Sequence, residues 1–440
     1  MIPLLALLAL ATVATTAAEA PLPPRIVLTL DQALAAARDR QPQVRAAAAT
    51  TRAAAARSDE AHAALLPQVS GVGNYQRSTA NFVSRPGSLP RQLATGGGGE
   101  SFESFGYYNF GLSASYLLYD FGQTRDRWHA AEASFASQHD SEQTTSSQVL
   151  FAVRTAFFQA RAAKELVTVA NDTLINQRRH LEQTQGFVEV GTQSQIALAQ
   201  GKTAVANAQV QLINAENGYE TAKAQLNQAM GMEQSTDYDV ADEAPLPVPA
   251  EDAGTDALLD EALKARPEIA ALADQVRAQE LTVKALKNAY YPSLGLATGM
   301  TDAGSQVRGL TWNWSAALQL SVPLFTGGST KAQATEGEAN LAVIQSQLDL
   351  ARLQVRLDVE QARLAVRAAK GTLAASGDAL TSAQEQLSLA EGRYQTGVGS
   401  IIELGDAQLA LTSAAQQKVQ AEYSLAQARA QLVKALGREC

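Results

Sequence analysis

Few residues in this chain have the type and spacing to do chemistry. The four histidines, His62, His129, His139 and His180, are scattered, and no pair stands at ligand spacing. They read as solvated or packed side chains rather than as a metal centre. The only cysteine is Cys440, so no disulfide framework or cysteine metal site can form within one chain. No nucleophile stands with a base. The glycine run Gly96–Gly99 follows no strand and opens no helix, so it is not a phosphate loop. The expectation is no enzyme, no metal and no cofactor. What remains is the chemistry of a wall. Asn109, Ser113, Ser115, Asn313, Ser315 and Gln319 fall at alternating positions between apolar neighbours, as a water-facing surface requires.

The elements that must carry this wall come in two copies. Asp31, Pro42 and Pro67 recur as Asp256, Pro267 and Pro292, each 225 residues on. Leu112, Gly122, Gly191 and Gly231 recur as Leu318, Gly328, Gly397 and Gly437, each 206 residues on. The difference of 19 residues lies in one loop, Gln76–Ser104 against Thr301–Leu310. Residues 21–236 form the first structural repeat, 255–437 the second, and the proline-rich acidic stretch 237–254 an extended linker. Residues 1–20 read as a secretory signal, with cleavage after Ala18 or Ala20; a buried N-terminal helix is the alternative. With a net charge of −9, nucleic acid is not an expected partner.

Each repeat opens with a helix, Asp31–Ala64 or Asp256–Ala289, capped by Thr29 or Asp31 in the first case and by Asp256 in the second. Pro42 and Pro267 should kink these helices or end a short first segment. A strand pair follows, Leu65–Tyr75 with the strand around Leu112, and Ser293–Met300 with the strand around Leu318. In the second strand of each pair alternation is strict. Tyr108, Phe110, Leu112, Ala114, Tyr116 and Leu118 share one face; so do Trp312, Trp314, Ala316, Leu318, Leu320, Val322 and Leu324. An apolar face with aromatics at one end fits a membrane barrel wall, and Tyr108, Phe110, Tyr116, Trp312 and Trp314 are its lipid-facing aromatics. A soluble sandwich edge is the alternative. No other β segment is evident.

Two proline-free stretches, Thr124–Val188 and Thr330–Gln395, each predict one helix of ~98 Å. The return helices, Ser194–Met230 and Ser400–Leu436, carry a heptad with large residues alternating with Ala or Gly. An initial helix stacked end to end on a return helix should match the long one. The second long helix has two apolar stripes, one through Leu348, Val355 and Val366 and one through Leu350, Leu353, Leu357 and Leu364. Two stripes imply neighbours on both sides. Four strands cannot close a barrel, so several chains must share one.

The plan resembles the TolC family of outer-membrane efflux proteins across essentially the whole mature chain. The segments Tyr119-Asp120-Phe121-Gly122 and Leu324-Phe325-Thr326-Gly327-Gly328 carry the resemblance, together with the turn from Tyr394 to Ser400. It implies a mainly α, duplicated fold, and a homotrimer with a twelve-stranded barrel in outer-membrane lipid and a periplasmic helical tunnel. It also implies a periplasmic adaptor (membrane fusion protein) and an inner-membrane pump of RND or ABC type. The turns Gly191, Thr192, Gln193, Ser194 and Gly397, Val398, Gly399, Ser400 would be the adaptor-contacting tips. Glu403, Asp406 and Tyr394 would form the periplasmic gate. Ser400 and Glu403 also read as a capping box, whereas Asp406 has no capping role. Where the family can carry a latch arginine and its facing acid, this chain has Gly399 and Ala197. Efflux duct, type I secretion duct and periplasmic coiled-coil scaffold remain the functional readings.

Overall fold

The computed structural model describes residues 26–79, 104–233 and 238–438. The signal segment and most of the longer loop lie outside them. In chain order the elements are β1 (Ile26–Leu28), α1 (Leu30–Arg40), α2 (Pro42–Ala63), β2 (Gln68–Thr79), β3 (Ser104–Tyr119), α3 (Gln123–Glu189), α4 (Gln195–Met230) and β4 (Tyr238–Val240). There follow α5 (Thr255–Ala265), α6 (Pro267–Asn288), β5 (Ser293–Gly304), β6 (Thr311–Ser321), α7 (Ser329–Gln395) and α8 (Ile401–Ala435).

Pro42 and Pro267 start helices rather than kink them. Each occupies the first turn of α2 or α6, where its missing N–H costs nothing. The initial helices are therefore split. Thr29 caps α1 in a reciprocal capping box with Gln32. The cap expected of Asp256 is wrong: Gly254 is the N-cap of α5, and Asp256 lies in its first turn, where its charge favours the helix dipole. Only α2 and α6 join the end-to-end stack. The Gln41 side-chain amide donates to the last carbonyls of α4, Gln228 O at 3.1 Å and Ala229 O at 2.8 Å. So α4 and α2, of 36 and 22 residues, run ~87 Å together beside ~100 Å for the 67 residues of α3. Helices α1 and α5 pack outside these stacks. Ala33, Leu34 and Ala37 of α1 bury against Phe157 of α3 and Leu226 of α4.

Along the wall, α3 packs on α4 and α2 to one side and on α8 and α6 to the other, and α7 packs on α8 and α6. One edge of the wall is thus α4 with α2, and the other is α7. The heptad of α8 is the packed face: Leu404, Ala407, Ala414, Ala421, Leu425, Ala428, Leu432 and Ala435 are buried. On α7 the stripe through Leu348, Val355, Val359 and Val366 is buried, while Leu350 and Leu353 are 65% and 66% exposed.

Strands β2, β3, β5 and β6 form one antiparallel sheet in that order. The partner strands reach further than the sequence pattern, β2 to Thr79 and β5 to Gly304, because paired backbone rather than alternation extends them. The register puts Val69, Tyr75, Tyr108, Phe110, Leu112, Leu296, Met300, Trp314 and Leu318 on one face. Ser70, Asn74, Asn109, Ser113, Thr301, Asn313 and Ser315 share the other. The expectation of no further β segment is overturned: β1 and β4 form a small parallel pair. The stretch after β4 has no helix or strand before α5, turns at residues 249–252, and is tied down through Glu251, a buried residue held by Arg429 of α8 and Lys370 of α7.

Each strand-to-helix switch turns on a glycine with left-handed backbone, Gly122 and Gly328, both at φ 85°. In the first switch the Asp120 carboxylate accepts the N–H groups of Gly122 (3.1 Å) and Thr124 (2.7 Å), capping α3.

Candidate functional site: the membrane sheet and the helical tip

The sheet carries aromatic residues at both ends. Towards the loops lie Tyr75 and Tyr108, with ring centroids 4.7 Å apart, and Trp314, whose Nε1 donates to Thr298 Oγ1 at 3.1 Å. The second group, beyond the five aromatics expected, gathers where strands become helices. Phe121 stacks on Tyr291 at 4.9 Å and lies 4.9 Å from Tyr119; Leu324 and Phe325 are 92% and 91% exposed. From Tyr108 to Tyr119 the strand climbs ~36 Å, or ~28 Å across a bilayer at a usual barrel tilt. That matches the apolar height of an outer membrane. No helix among the described residues is long and apolar enough to cross a membrane.

The tip is built from two helical hairpins. Gly191 and Gly397 end α3 and α7 in left-handed conformation, and the N–H groups of Thr192 and Val398 return to Phe187 O and Arg393 O. These bonds occupy carbonyls that the helix ends leave free. Ser194 and Ser400 then cap α4 and α8, accepting from the N–H groups of Ala197 and Glu403. Val190 and Val398 stand 73% and 72% exposed beside the two turns. Gly399 occupies a close approach: a Cβ there would meet Tyr394 N at 2.9 Å and Arg393 C at 3.0 Å. A latch arginine at this position would need the turn to move.

The three expected gate residues do different things. The Glu403 carboxylate does not complete the capping box; it pairs with Arg393 Nε at 3.0 Å across the hairpin. Asp406 is exposed and forms no ion pair or hydrogen bond among the described residues. Tyr394 is buried, packed with Leu387, Ala390, Leu404 and Ala407, with Phe187 edge-on to its ring. Its hydroxyl meets Thr184 Oγ1 at 2.9 Å, joining α7 to α3.

One helical turn away is a second link that sequence reading missed. Arg179 Nη2 reaches Glu391 Oε1 at 3.3 Å, and His180 Nε2 stands 3.3 Å from the same oxygen. Burial pushes the His180 imidazole below its ordinary value; Arg179 adds to this, while Glu391 and Gln183 oppose it. His180 gave no signal in the sequence because its partner belongs to the other repeat. Among the described residues, no group of three or more His, Cys, Asp or Glu side chains is placed to hold a metal ion.

A sheet with one apolar and one polar face, set on hairpins of ~100 Å, defines an outer-membrane channel subunit with a long helical extension. The chain belongs to the outer membrane efflux protein family, whose pattern it matches over residues 33–232 and 258–438. It is 27% identical over 411 residues to the pyoverdine export outer membrane protein OpmQ of Pseudomonas putida, covering 93% of this chain and 85% of that one. It is 26% identical over 341 residues to the solvent efflux pump outer membrane protein SrpC of Pseudomonas putida, covering 75% and 71%. Among solved structures, CusC superposes with a TM-score of 0.80 at 20% identity, covering 94% of this chain and 93% of that one. The open-state MtrE channel of Neisseria gonorrhoeae gives 0.76 at 23%, covering 93% and 89%. The protein is an outer-membrane efflux component with its helical part in the periplasm. Its family and structural neighbours are outer-membrane channels, not enzymes. This removes the soluble-scaffold alternative.

Proposed function

We propose that three copies of this chain close one conduit, a twelve-stranded barrel continued by a helical tunnel, which serves as the passive exit duct of a tripartite efflux pump. The observation that carries this reading is the four-stranded, two-faced sheet whose outer strands, β2 and β6, each leave one edge unpaired among the described residues. Open edges in lipid cost several kcal/mol per backbone group, and about eight strands is the least that closes. β6 runs opposite to β2, so a second copy adds in antiparallel order. The helical wall supports the same closure. Its α7 edge exposes Leu350, Leu353, Leu357 and Leu364, and its α2 edge exposes Ala46, Ala49, Ala53 and Ala56. Large residues at one edge and small ones at the other suit close helix packing between neighbouring copies. Leu350→Lys combined with Leu353→Lys should convert the trimer to monomer in light scattering of the detergent-purified protein, with helical circular dichroism kept. A trimer of wild-type stability would reject this edge.

In this reading Gly191, Thr192, Gln193, Ser194, Gly397, Val398, Gly399 and Ser400 meet the periplasmic adaptor, behind which stands an RND or ABC pump. The cargo is small molecules or ions. Relatives named for solvent, toluene and antibiotic efflux favour this over protein secretion. Asp406 supplies the charge of the gate, three times around the axis, because Glu403 is already neutralised by Arg393. Tyr394 holds the second hairpin to the first. Reconstituted in planar bilayers, the protein should conduct. Asp406→Asn should raise the divalent concentration for half-block by about tenfold. Unchanged block would remove Asp406 from the gate.

A further inference from the structure

Where strands become helices, the outer face of the protein carries a collar of rings. Tyr119 joins it through the register shift after Leu117, which pairs it with Leu294 and, through Leu294, with Leu320 on the apolar face of the sheet. Phe121 contacts both Tyr119 and Tyr291. Directly below run the first turns of α3 and α7 and the last turns of α6. The first seven residues of α3 and of α7 and the last seven of α6 hold five cations, Arg125, Arg127, Lys284, Lys287 and Lys331, against one acid, Asp126. Asp126 is buried and already accepts from Lys284 Nζ at 2.9 Å and Asn288 Nδ2 at 2.8 Å. At helical rise these cations stand about 5–10 Å below the rings.

Helical period places four of the five on the outer face. Arg125 and Phe157 are 32 residues apart, ~8.9 turns, so they share the side of α3 that α1 covers. Glu338 and Arg356 of α7 are 18 residues apart, ~5 turns, and also share a side. Arg356 Nη2 lies 3.9 Å from Asp256 of α5, which packs outside the stacks. Lys287 pairs with Glu338 at 2.7 Å and so points outward too, with Lys284 one turn away on the same side of α6. Lys331 stands about two turns before Glu338 on the outer side of α7. Arg127 turns to the opposite face of α3. Neither Arg125 nor Lys331 has a carboxylate partner among the described residues; Arg125 Nε meets His129 Nε2 at 3.3 Å. The repeat offset of 206 carries Arg125 onto Lys331, but carries Asp120 and Asp126 onto Thr326 and Ala332. The second copy keeps the cation and drops both acids. The seam between α3 and α6, at the centre of the cluster, is not an edge of the wall, so ring closure leaves it open.

We propose that this outer seam, beneath the collar, binds the headgroup of an anionic phospholipid of the periplasmic leaflet, one per copy. Arg125 on α3 and Lys287 on α6 flank the phosphate, Lys284 and Lys331 add charge beside them, and an acyl chain runs along the Phe121–Tyr291 stack. Aromatic rings suit the level where acyl chains meet headgroups. Lys and Arg stems lie along apolar surface while their charges reach the phosphate. Each cation near a membrane surface favours an anionic lipid by about fivefold. A zwitterionic headgroup brings its own cation against the cluster and gains little. The bound lipid fixes the height of the strand-to-helix switch at the membrane surface. This site requires the membrane sheet and not the passage of cargo.

The test uses the full-length, detergent-purified protein in native mass spectrometry, titrated with phosphatidylglycerol and separately with phosphatidylcholine of the same acyl chains. One phosphatidylglycerol per copy is expected, held about tenfold more tightly than phosphatidylcholine. Arg125→Gln combined with Lys331→Gln breaks no ion pair among the described residues. It should weaken phosphatidylglycerol about tenfold and leave phosphatidylcholine unchanged. Arg125→Lys combined with Lys331→Arg should keep the preference. Lys202→Gln combined with Lys264→Gln removes the same charge from exposed positions on α4 and α5 and should change neither lipid. Tyr291→Ala should weaken both lipids alike, since it removes the acyl contact. Inorganic phosphate should not displace the lipid, because it lacks that contact. Equal retention of the two lipids, an unchanged preference in the Arg125 and Lys331 glutamine pair, an equal loss in the remote pair, or displacement by inorganic phosphate would overturn the proposal. A protein that keeps the lipid preference but does not conduct removes the duct and leaves this site.

Discussion

A Leu318→Arg chain is expected to be lost as a heat-modifiable outer-membrane trimer, while Ser315→Arg, three residues away on the same strand, is expected to assemble. The pairing register sets this contrast. Leu318 lies opposite Leu296, on the face with Met300 and Trp314; Ser315 lies opposite Gly299, on the face with Asn313 and Thr301. An arginine facing lipid near mid-membrane costs about 2–4 kcal/mol, and the proposed trimer would incur it three times. Facing water, the same side chain is solvated. Ser315→Arg has a second consequence. Among the described residues the polar face of all four strands carries no charged side chain; Arg77 and Asp302 lie on the other face at the loop end. In the proposed barrel, three arginines would then be the only charges on the polar face of the described strands and should shift the reversal potential in a salt gradient towards anions. Assembly of Leu318→Arg, or failure of Ser315→Arg alone, would invert the assignment of the two faces.

That contrast was readable in advance from strict alternation over Trp312–Leu320, and it needed no tertiary contact. The same holds for the two long helices, whose observed bounds, Gln123–Glu189 and Ser329–Gln395, follow the proline-free stretches to within a residue or so. The duplication exposed the pivot glycines and the tip turns because a repeated glycine at fixed offset marks backbone geometry rather than packing. What stayed hidden depends on partners distant in the chain. β1 and β4 are three residues each and show no periodicity; their pairing joins Ile26 to Tyr238. His180 looked inert because Glu391 lies in the other repeat. The capping box at Ser400 was half right. The hydroxyl caps as expected, but Arg393 across the hairpin competes for Glu403 and takes it. A local motif states what a side chain can do, and a stronger charged partner brought by the fold decides what it does.

The stretch between the repeats, expected only to be extended, supports the other large prediction. Glu251 is 8% exposed and accepts from Arg429 Nε and Nη2, both at 3.0 Å, from Lys370 Nζ at 2.8 Å, and from the Val248 N–H at 3.0 Å. Burial alone would push its pKa up, because it disfavours the charged form. The bonds from Arg429 and Lys370 more than reverse that and hold the carboxyl at about 2, against an ordinary 4.5. A depressed carboxylate stabilises the fold above its unfolded value and loses that contribution as pH falls through the folded one. The stabilisation, about 3 kcal/mol at most from a shift of this size, should be complete above about pH 4.5 and gone near pH 2. Glu251→Gln should therefore lower Tm near neutral pH, and the gap from wild type should close on acidification across that window. Loss of the carboxylate also strands Arg429, 13% exposed, whose remaining bond is to Pro245 O at 2.7 Å. Adding Arg429→Met should recover part of the loss, since an unpaired buried charge costs more than an apolar replacement. Hydrogen exchange should locate the loosening in residues 245–254 and the facing turns of α7 and α8, not in the sheet. A Tm gap that stays constant from neutral to acid would mean that the linker is held by packing of Val248 and its neighbours, with the ion cluster incidental.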